Sequence, residues 1–205
     1  DPNVIMVGEI RDPETANLAV QAALTGHLVF STLHTNSAAG ILPRLLDMGV
    51  EPFLIASTVR TVIGQRLVRR LAEPVPYQSD KAETEAINQY VGSILPEKES
   101  DIKAVSQDLG YDNLPLRGQS AYTLFKGKDT PDAPGGYKGR LGLYEVFQVA
   151  ENIQDLIMKR ASSAEIQKAA QTNGMITMQQ DGFLKALTGK TSLAEVNRVA
   201  AEDSA

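Results

Sequence analysis

Carboxylate side chains follow the first apolar segment of the chain. Val4–Val7 is a continuous apolar run, and Glu9 and Asp12 come directly after it. A run of this kind predicts a strand that is buried on both faces of a parallel sheet. At the carboxyl edge of such a sheet, a carboxylate can hold magnesium or orient a water for attack on a phosphate. The alternative is that Glu9 is only a strand-end acid and Asp12 only a helix cap.

Two histidines flank the next predicted strand, Leu28–Leu33. We expect His27 and His34 to lie near the same edge of the sheet as Glu9. A histidine can donate a hydrogen bond to a phosphate at neutral pH. For His27 the alternative is a favourable position at the end of a helix dipole. Two histidines without a nearby cysteine form a poor ligand set, so a metal site built on them is not expected.

The first 72 residues are predicted to contain two parallel strands and three helices. The predicted helices are Pro13–Thr25, a helix from Asn36 or Ser37 to Gly49 that is kinked at Pro43, and a helical pattern over Pro52–Leu71. Asp12 is suited to cap the first of them, and Gly26 is suited to end it. Strand, helix and strand at this spacing indicate a right-handed parallel unit of an α/β sheet.

Residues 73–135 differ in composition from what precedes them, because prolines and acidic residues are frequent there. We interpret them as an inserted subdomain with helices near Lys81–Ile94 and Ser100–Leu109 and an extended segment at Ser120–Lys126. From Gly139 onward, a strand over Arg140–Val149 and several short helices are predicted. Capping boxes that begin at Ser162 and Ser192 mark two of the helix starts.

Composition limits the possible functions. The chain has 205 residues, 42% of them hydrophobic, and a formal net charge of -5. This charge argues against a surface that binds duplex nucleic acid along the whole chain. There is no cysteine, which excludes disulfides and thiolate metal sites. The longest apolar runs are too short to span a bilayer.

Several long motifs, in order and at matching spacing, resemble those of secretion ATPases. Asp1–Thr15 resembles their Walker B signature, and Thr25–Asn36 resembles their histidine box. Other segments that resemble the family are Gly49–Phe53, Gln65–Leu67, Gly136–Glu145, and the tail with Gly174-Met175 and Asp181-Gly182. The chain is therefore similar to the hexameric ATPases that power type IV pilus extension and type II secretion. Pro52-Phe53 favours that branch over the retraction branch.

The resemblance implies roles for individual residues. Glu9 corresponds to the Walker B glutamate, which would act catalytically and through magnesium, with a water between them. His34 corresponds to the histidine expected near the γ-phosphate and would also be catalytic. His27 and Arg11 would contribute to cofactor binding. For Arg11, a salt bridge to a local acid is the alternative.

The resemblance also implies a fold, which is α/β and RecA-like (the P-loop NTPase type) with a helical C-terminal extension. Residues 1–72 would belong to the ATPase core, 73–135 to the insert, and 136–205 to a strand and the helical region. The chain opens on Asp1-Pro2 and contains no G-x-x-x-x-G-K-[ST] phosphate-binding loop. We therefore expect an N-terminally truncated fragment that does not turn over ATP alone.

The parent protein would use ATP and Mg²⁺ and assemble as a homohexamer. Its other expected partners are an inner-membrane platform protein and a cytoplasmic adaptor, and its expected location is cytoplasmic, peripheral to the inner membrane. No zinc is expected, because the cysteines that hold zinc in many relatives are absent here. Two alternatives stay open. One is a non-catalytic assembly or interaction module, and the other is a RecA-type nucleic-acid motor, although no nucleic acid is expected as a partner.

Overall fold

The computed structural model describes residues 2–202. The chain divides into two compact units, each built from two stretches of sequence. The first unit contains Asp1–Gly64 and Glu145–Ile176, and the second contains Gln65–Tyr144 and Thr177–Ala205. None of the helices within residues 2–202 is long and apolar enough to cross a bilayer.

The first unit begins with a parallel strand–helix–strand unit, as predicted. Its elements are β1 (Val4–Val7), α1 (Pro13–Leu24) and β2 (Leu28–Ser31). The two strands pair in parallel, with Val4 opposite Leu28 and Val7 opposite Ser31. Asp12 caps α1, since its Oδ1 accepts a hydrogen bond from the Thr15 amide at 2.8 Å. The helix ends before Gly26, whose φ of 92° suits a glycine.

The prediction that the first strand is buried on both faces is wrong. Val4 and Met6 are 54% and 71% exposed, and their neighbours Leu28 and Phe30 are 55% and 50% exposed. These four side chains share one face, because side chains alternate between the faces of a strand. The sheet has two strands, and among residues 2–202 no element covers this apolar face.

The second helix begins later than its sequence indicates. It is α2 (Ile41–Asp47) with Gly40 at its N-cap, rather than a helix capped by Asn36 or Ser37. Proline is tolerated in the first turn of a helix, where its missing N–H would have no partner, but not in the interior. A helix that began at residue 37 would place Pro43 in its interior, whereas the observed start places Pro43 in the first turn.

The predicted helical pattern over Pro52–Leu71 is wrong beyond Thr58. The structure has a short helix, α3 (Pro52–Thr58), followed by an eleven-residue strand, β3 (Thr61–Leu71). Apolar residues at helical spacing misled the prediction. The β-branched residues Thr61, Val62 and Ile63 favour a strand, and this strand pairs with the later strand β6 (Tyr137–Gln148).

The core of the first unit is aliphatic, in agreement with the low aromatic content. It is completed by helices α6 (Glu151–Met158) and α7 (Ser163–Thr172), which follow β6 in the chain. Ile55, Ile153 and Ile166 are each fully buried in this cluster. The capping box predicted at Ser162 is present at the start of α7.

The second unit contains the whole of the predicted insert, residues 73–135. Its remaining elements are β4 (Pro74–Gln78), α4 (Lys81–Tyr90), α5 (Ile102–Asp108), β5 (Thr123–Gly127), α8 (Met178–Leu187) and α9 (Leu193–Glu202). Strands β4 and β5 pair antiparallel; β4 was not predicted. Tyr122 and Ile87 are fully buried, so aliphatic and aromatic packing supports this region. The division of the chain into three segments stays a prediction.

Candidate functional site

Hydrogen bonds beyond the strand ends place Glu9 beside the residues that follow β2. The Thr32 hydroxyl donates to the Gly8 carbonyl at 2.6 Å. The Ile10 amide donates to the Thr32 carbonyl at 2.9 Å. These two bonds hold the segments after β1 and β2 side by side, at the carboxyl edge of the parallel pair. The sequence predicted this juxtaposition of Glu9 and His34.

Glu9 is held between two cationic or hydrogen-bonding side chains. Its Oε2 lies 2.5 Å from Nη2 of Arg11, and its Oε1 lies 3.0 Å from Nε2 of His34. The Glu9 side chain is 22% exposed, whereas those of Arg11 and His34 are 76% and 86% exposed. The carboxylate is therefore partly sheltered, and its two partners face solvent.

This arrangement keeps Glu9 ionised. The hydrogen bond from Arg11 lowers the pKa of the Glu9 carboxyl, partial burial opposes that shift, and electrostatic interactions with Arg11 and His34 lower the pKa further. At neutral pH the side chain is a carboxylate that can accept hydrogen bonds from water. For Arg11, the sequence left open a salt bridge to a local acid, and this bridge is present with Glu9. Because the Arg11 side chain is 76% exposed, it can still contact a ligand.

These three side chains line one wall of a pocket of about 260 Å³. Its full lining is Glu9, Ile10, Arg11, Leu33, His34, Arg44 and Met48. Two arginines and a histidine face a single carboxylate, so the pocket favours an anionic group. Arginine suits phosphate in particular, because its planar guanidinium presents several N–H donors.

The sequence analysis did not single out Arg44 and Met48. Arg44 lies in α2 and Met48 is the residue that caps its end, so their approach to His34 depends on where that helix begins. A helix placed four residues too early orients its side chains differently, because each residue turns the helix by about 100°. A signal was present in the sequence, since Pro43 restricts the helix start.

His27 does not lie with Glu9, and the expectation that they share an edge is wrong. His27 precedes β2, and the Leu28 amide next to it bonds to the Asn3 carbonyl at 3.0 Å. In a parallel pair, residues before and after a strand lie at opposite edges, here separated by about 13 Å of strand. Nδ1 of His27 lies 3.0 Å from the Ala22 carbonyl oxygen, at the end of α1.

Asp12 acts on its helix rather than on the pocket. Besides the Thr15 amide, it accepts a hydrogen bond from the Thr15 hydroxyl at 3.0 Å. The amide hydrogen bond, followed by the hydroxyl one, lowers the pKa of Asp12. Asp12 is absent from the lining of the pocket, so the alternative of a simple cap describes it.

The pocket contains one carboxylate, which limits how a metal could be held. Nowhere in residues 2–202 do three or more histidine, cysteine, aspartate or glutamate side chains converge on one point. Magnesium needs fewer protein ligands than that, since it often keeps several waters and binds one or two carboxylates together with substrate phosphates. Glu9 fits that limited role; it does not form a metal site alone.

The comparison with protein families identifies the chain. The family described as "Type II/IV secretion system protein" matches residues 1–198. The chain belongs to this family. The match covers almost the whole sequence, and it confirms the resemblance that the Walker B signature and the histidine box indicated.

Two curated relatives show the level of similarity. The chain is 42% identical over 199 residues to "Type II secretion system protein E" of Xanthomonas campestris pv. campestris. It is 41% identical over 199 residues to "Type IV pilus assembly ATPase PilB" of Pseudomonas aeruginosa. Each alignment covers 97% of this chain and 31% of the relative. The chain thus spans about a third of the length of the curated relatives it matches.

Solved structures share the fold at lower identity. The pilus retraction motor PilT with bound ADP aligns with 97% of this chain and 40% of its own, at a TM-score of 0.57 and 23% identity. The Legionella pneumophila ATPase DotB aligns with 98% of this chain and 39% of its own, at a TM-score of 0.55 and 22% identity. These likenesses confirm the predicted α/β fold class of the secretion ATPases.

Proposed function

We propose that this chain forms part of an ATPase that drives type IV pilus assembly or type II protein secretion. One observation carries the proposal: Glu9, Arg11 and His34 meet at the carboxyl edge of a parallel strand pair and line an anion-suited pocket. Ligands of α/β sheets bind at this edge. The names of the relatives, which include pilus assembly and type II secretion ATPases, support the same function.

In this proposal, each pocket residue has a distinct task. Glu9 is an ionised carboxylate that would hold Mg²⁺ through a water or would orient a water for attack. His34 donates a hydrogen bond to the γ-phosphate of ATP, and Arg11 adds positive charge beside it. When bound, Mg²⁺ neutralises the negative charge that accumulates on the phosphates during transfer.

His27 keeps a more distant role. Because it lies at the amino edge of β2, its contribution to cofactor binding cannot come from the pocket that contains Glu9. We propose that it contacts nucleotide on a different surface of the assembled protein. The simpler function for His27 is to close the end of α1 through the Ala22 carbonyl.

The proposal extends to partners and location. The parent protein would be a homohexamer at the cytoplasmic side of the inner membrane, in contact with a platform protein and a cytoplasmic adaptor. Phosphoryl transfer of this class depends on positioning and on charge stabilisation, and residues 1–205 contain no G-x-x-x-x-G-K-[ST] loop to bind the phosphates. The isolated chain is therefore proposed to be a module without turnover of its own.

Phosphate release by the full-length protein tests the function. Glu9→Gln should lower turnover by at least about 100-fold, which is the order of loss when one preorganised electrostatic contact is removed from a catalytic site. Glu14→Gln is the matched control, since Glu14 is exposed in the first turn of α1 and lies outside the pocket. Equal turnover in wild type and Glu9→Gln would contradict the proposal.

The same assay separates the alternatives for the isolated chain. Residues 1–205 alone should release no phosphate above background. A Glu9-dependent release by this chain would show that it is catalytic on its own. Binding to single- or double-stranded DNA that weakens steeply with salt would instead favour a nucleic-acid motor.

A further inference from the structure

The segment that contains His34 is fixed to the rest of the first unit at two points. On one side of His34, Thr32 bonds to the Gly8 carbonyl at 2.6 Å. On the other side, the Ala38 amide donates to Oε1 of Glu145 at 2.6 Å. His34 is therefore two residues from one attachment and four residues from the other, although its own side chain is exposed.

Glu145 is the less expected of the two attachments. It belongs to β6 and is 3% exposed, in a unit whose interior is aliphatic. Burial of a carboxylate is costly unless hydrogen bonds compensate, and a charged acceptor makes a stronger bond to an amide than a neutral one does. A buried glutamate that accepts from a loop amide therefore indicates a specific requirement at this position.

The space for Glu145 depends on a glycine in the neighbouring strand. A Cβ atom added at Gly64 would lie 2.8 Å from Cγ and 3.2 Å from Oε1 of Glu145, and 3.2 Å from Cβ of Ala38. A side chain at position 64 would thus displace both partners of the hydrogen bond. The absence of a side chain here allows the carboxylate to reach the loop.

The attachment at Ala38 lies just before the start of α2. Ala38 and Ala39 are fully buried, and α2 starts at Ile41. The Gly40 amide bonds to the Ser37 hydroxyl at 3.2 Å, which closes the turn before the helix. This contact therefore lies in the chain between His34 and the helix that carries Arg44. Glu145 itself is absent from the pocket lining.

We propose that Glu145 is a positioning residue for His34, which it holds against Glu9 through the Ala38 amide. This inference rests on the proposed function, since it assigns Glu145 an effect on turnover. The carboxylate touches neither substrate nor reacting atoms. A displacement of about 1 Å in a catalytic group can lower a rate by about 100-fold, so a distant hydrogen bond can control activity.

Two substitutions in the full-length protein distinguish the effect of the hydrogen-bond acceptor at position 145 from the effect of side-chain size. Glu145→Gln retains a side-chain carbonyl that can accept from the Ala38 amide, and it should keep turnover within about three-fold of wild type. Glu145→Met retains length but lacks an acceptor, and it should lower kcat by at least about 10-fold. Nucleotide affinity should change little in both. Equal loss in the two variants would overturn the proposal.

A double-mutant cycle with His34→Ala tests whether Glu145 acts through His34. Glu145→Met should lower kcat in the wild-type background but cause no further loss when His34 is already alanine. The same fold-loss in both backgrounds would show a general structural role and would overturn the proposal. If Glu145→Met does not fold, Gly64→Ala replaces it in the cycle, with the same expected pattern.

Hydrogen exchange provides a measurement that does not depend on turnover. In the full-length protein, amides of residues 32–40 should exchange faster in Glu145→Met than in wild type or Glu145→Gln. Unchanged exchange in Glu145→Met would overturn the proposal. If wild type shows no Glu9-dependent turnover, the proposed function fails, whereas exchange still decides whether Glu145 holds the segment.

Discussion

Carboxylates with cationic partners occur in both units, but they differ in how far the carboxylate is buried. In the first unit, the side chain of Glu9 is 22% exposed, and those of its partners Arg11 and His34 are 76% and 86% exposed. In the second unit, the side chain of Glu195 is 0% exposed with partners Arg69 and Arg198 at 51% and 45%, and that of Asp181 is 10% exposed beside Lys185 at 13%. The first cluster leaves donors available to a ligand. The second directs its hydrogen-bonding groups toward other parts of its own unit.

The two buried carboxylates of the second unit connect elements that are distant in sequence. Oδ1 of Asp181 accepts from the Tyr111 hydroxyl at 3.1 Å, and Oδ2 accepts from the Tyr144 amide at 2.8 Å and from Lys185. Glu195 accepts from Nη2 of Arg69 and of Arg198, each at 2.6 Å. Burial, followed by the charge of Asp181, raises the pKa of Tyr111, so this phenol stays protonated and remains a donor.

The comparison predicts that similar ion pairs differ in their importance for stability and for chemistry. An exposed pair contributes about 0–1 kcal/mol to folding. Removal of one partner from a buried pair costs about 3–5 kcal/mol, because the other charge remains without compensation. Burial of the carboxylate therefore distinguishes a structural cluster from one that is open to a ligand.

The largest effect is expected at Asp181. Asp181→Ala should lower the free energy of unfolding of the 205-residue chain by about 3–5 kcal/mol, since it leaves Lys185, the Tyr111 hydroxyl and the Tyr144 amide without their acceptor. Glu9→Ala should lower it much less, because solvent screens the pairs that Glu9 makes with Arg11 and His34. Urea denaturation of both variants measures the difference. Similar losses for the two would remove the distinction between the clusters.

The meeting of Glu9 and His34 at the carboxyl edge of the parallel pair was predictable from sequence, whereas the path of the chain around that edge was not. Glu9 and His34 each follow an apolar strand, and parallel pairing alone brings them together. Local patterns conflicted at Val59, Val62 and Ile63, because their helical spacing opposed the strand preference of β-branched residues. That outcome depends on pairing with β6, which begins 66 residues after β3 ends and therefore requires long-range contacts.

Other errors had a more specific cause. His27 was expected beside Glu9 because both histidines flank one strand, but the direction of the strand places them at opposite edges. Glu145 was noted within a family motif only, since nothing in its own sequence neighbourhood shows that the Ala38 amide is its partner. Contacts across 107 residues are formed by the tertiary fold.

An intermediate effect is expected at His34, on activity rather than on stability. His34→Ala in the full-length protein should lower kcat by about 10–100-fold, because it removes an interaction made mainly in the transition state. Nucleotide binding and the melting temperature should stay near the wild-type values, since the side chain is 86% exposed. Turnover and thermal melting are measured on one preparation. A lower melting temperature with unchanged turnover per folded molecule would place His34 with the structural residues.

The smallest effect is the expected loss of folding stability at low pH. It tests whether the buried Glu195 contributes more to this loss than the more exposed Glu9. Burial acts to raise the pKa of Glu195, but hydrogen bonds from Arg198 and Arg69 outweigh it and lower that pKa from 4.5 to about 2. A carboxyl whose pKa is lower in the folded state stabilises the fold above its unfolded pKa. That stabilisation is lost as the pH falls from about 4.5 toward 2.

The matched variants are Glu195→Gln and Glu9→Gln, both in the 205-residue chain. The urea concentration at the unfolding midpoint of wild type should decrease as the pH is lowered from about 5 to 2.5. Glu195→Gln should make this decrease smaller, because it removes the group that takes up a proton on unfolding. Glu9→Gln should reduce it less, since solvent screens its pairs with Arg11 and His34. A larger reduction in Glu9→Gln than in Glu195→Gln would mean that exposure does not separate the two clusters, and Glu9 would then have to be counted among the residues that hold the fold.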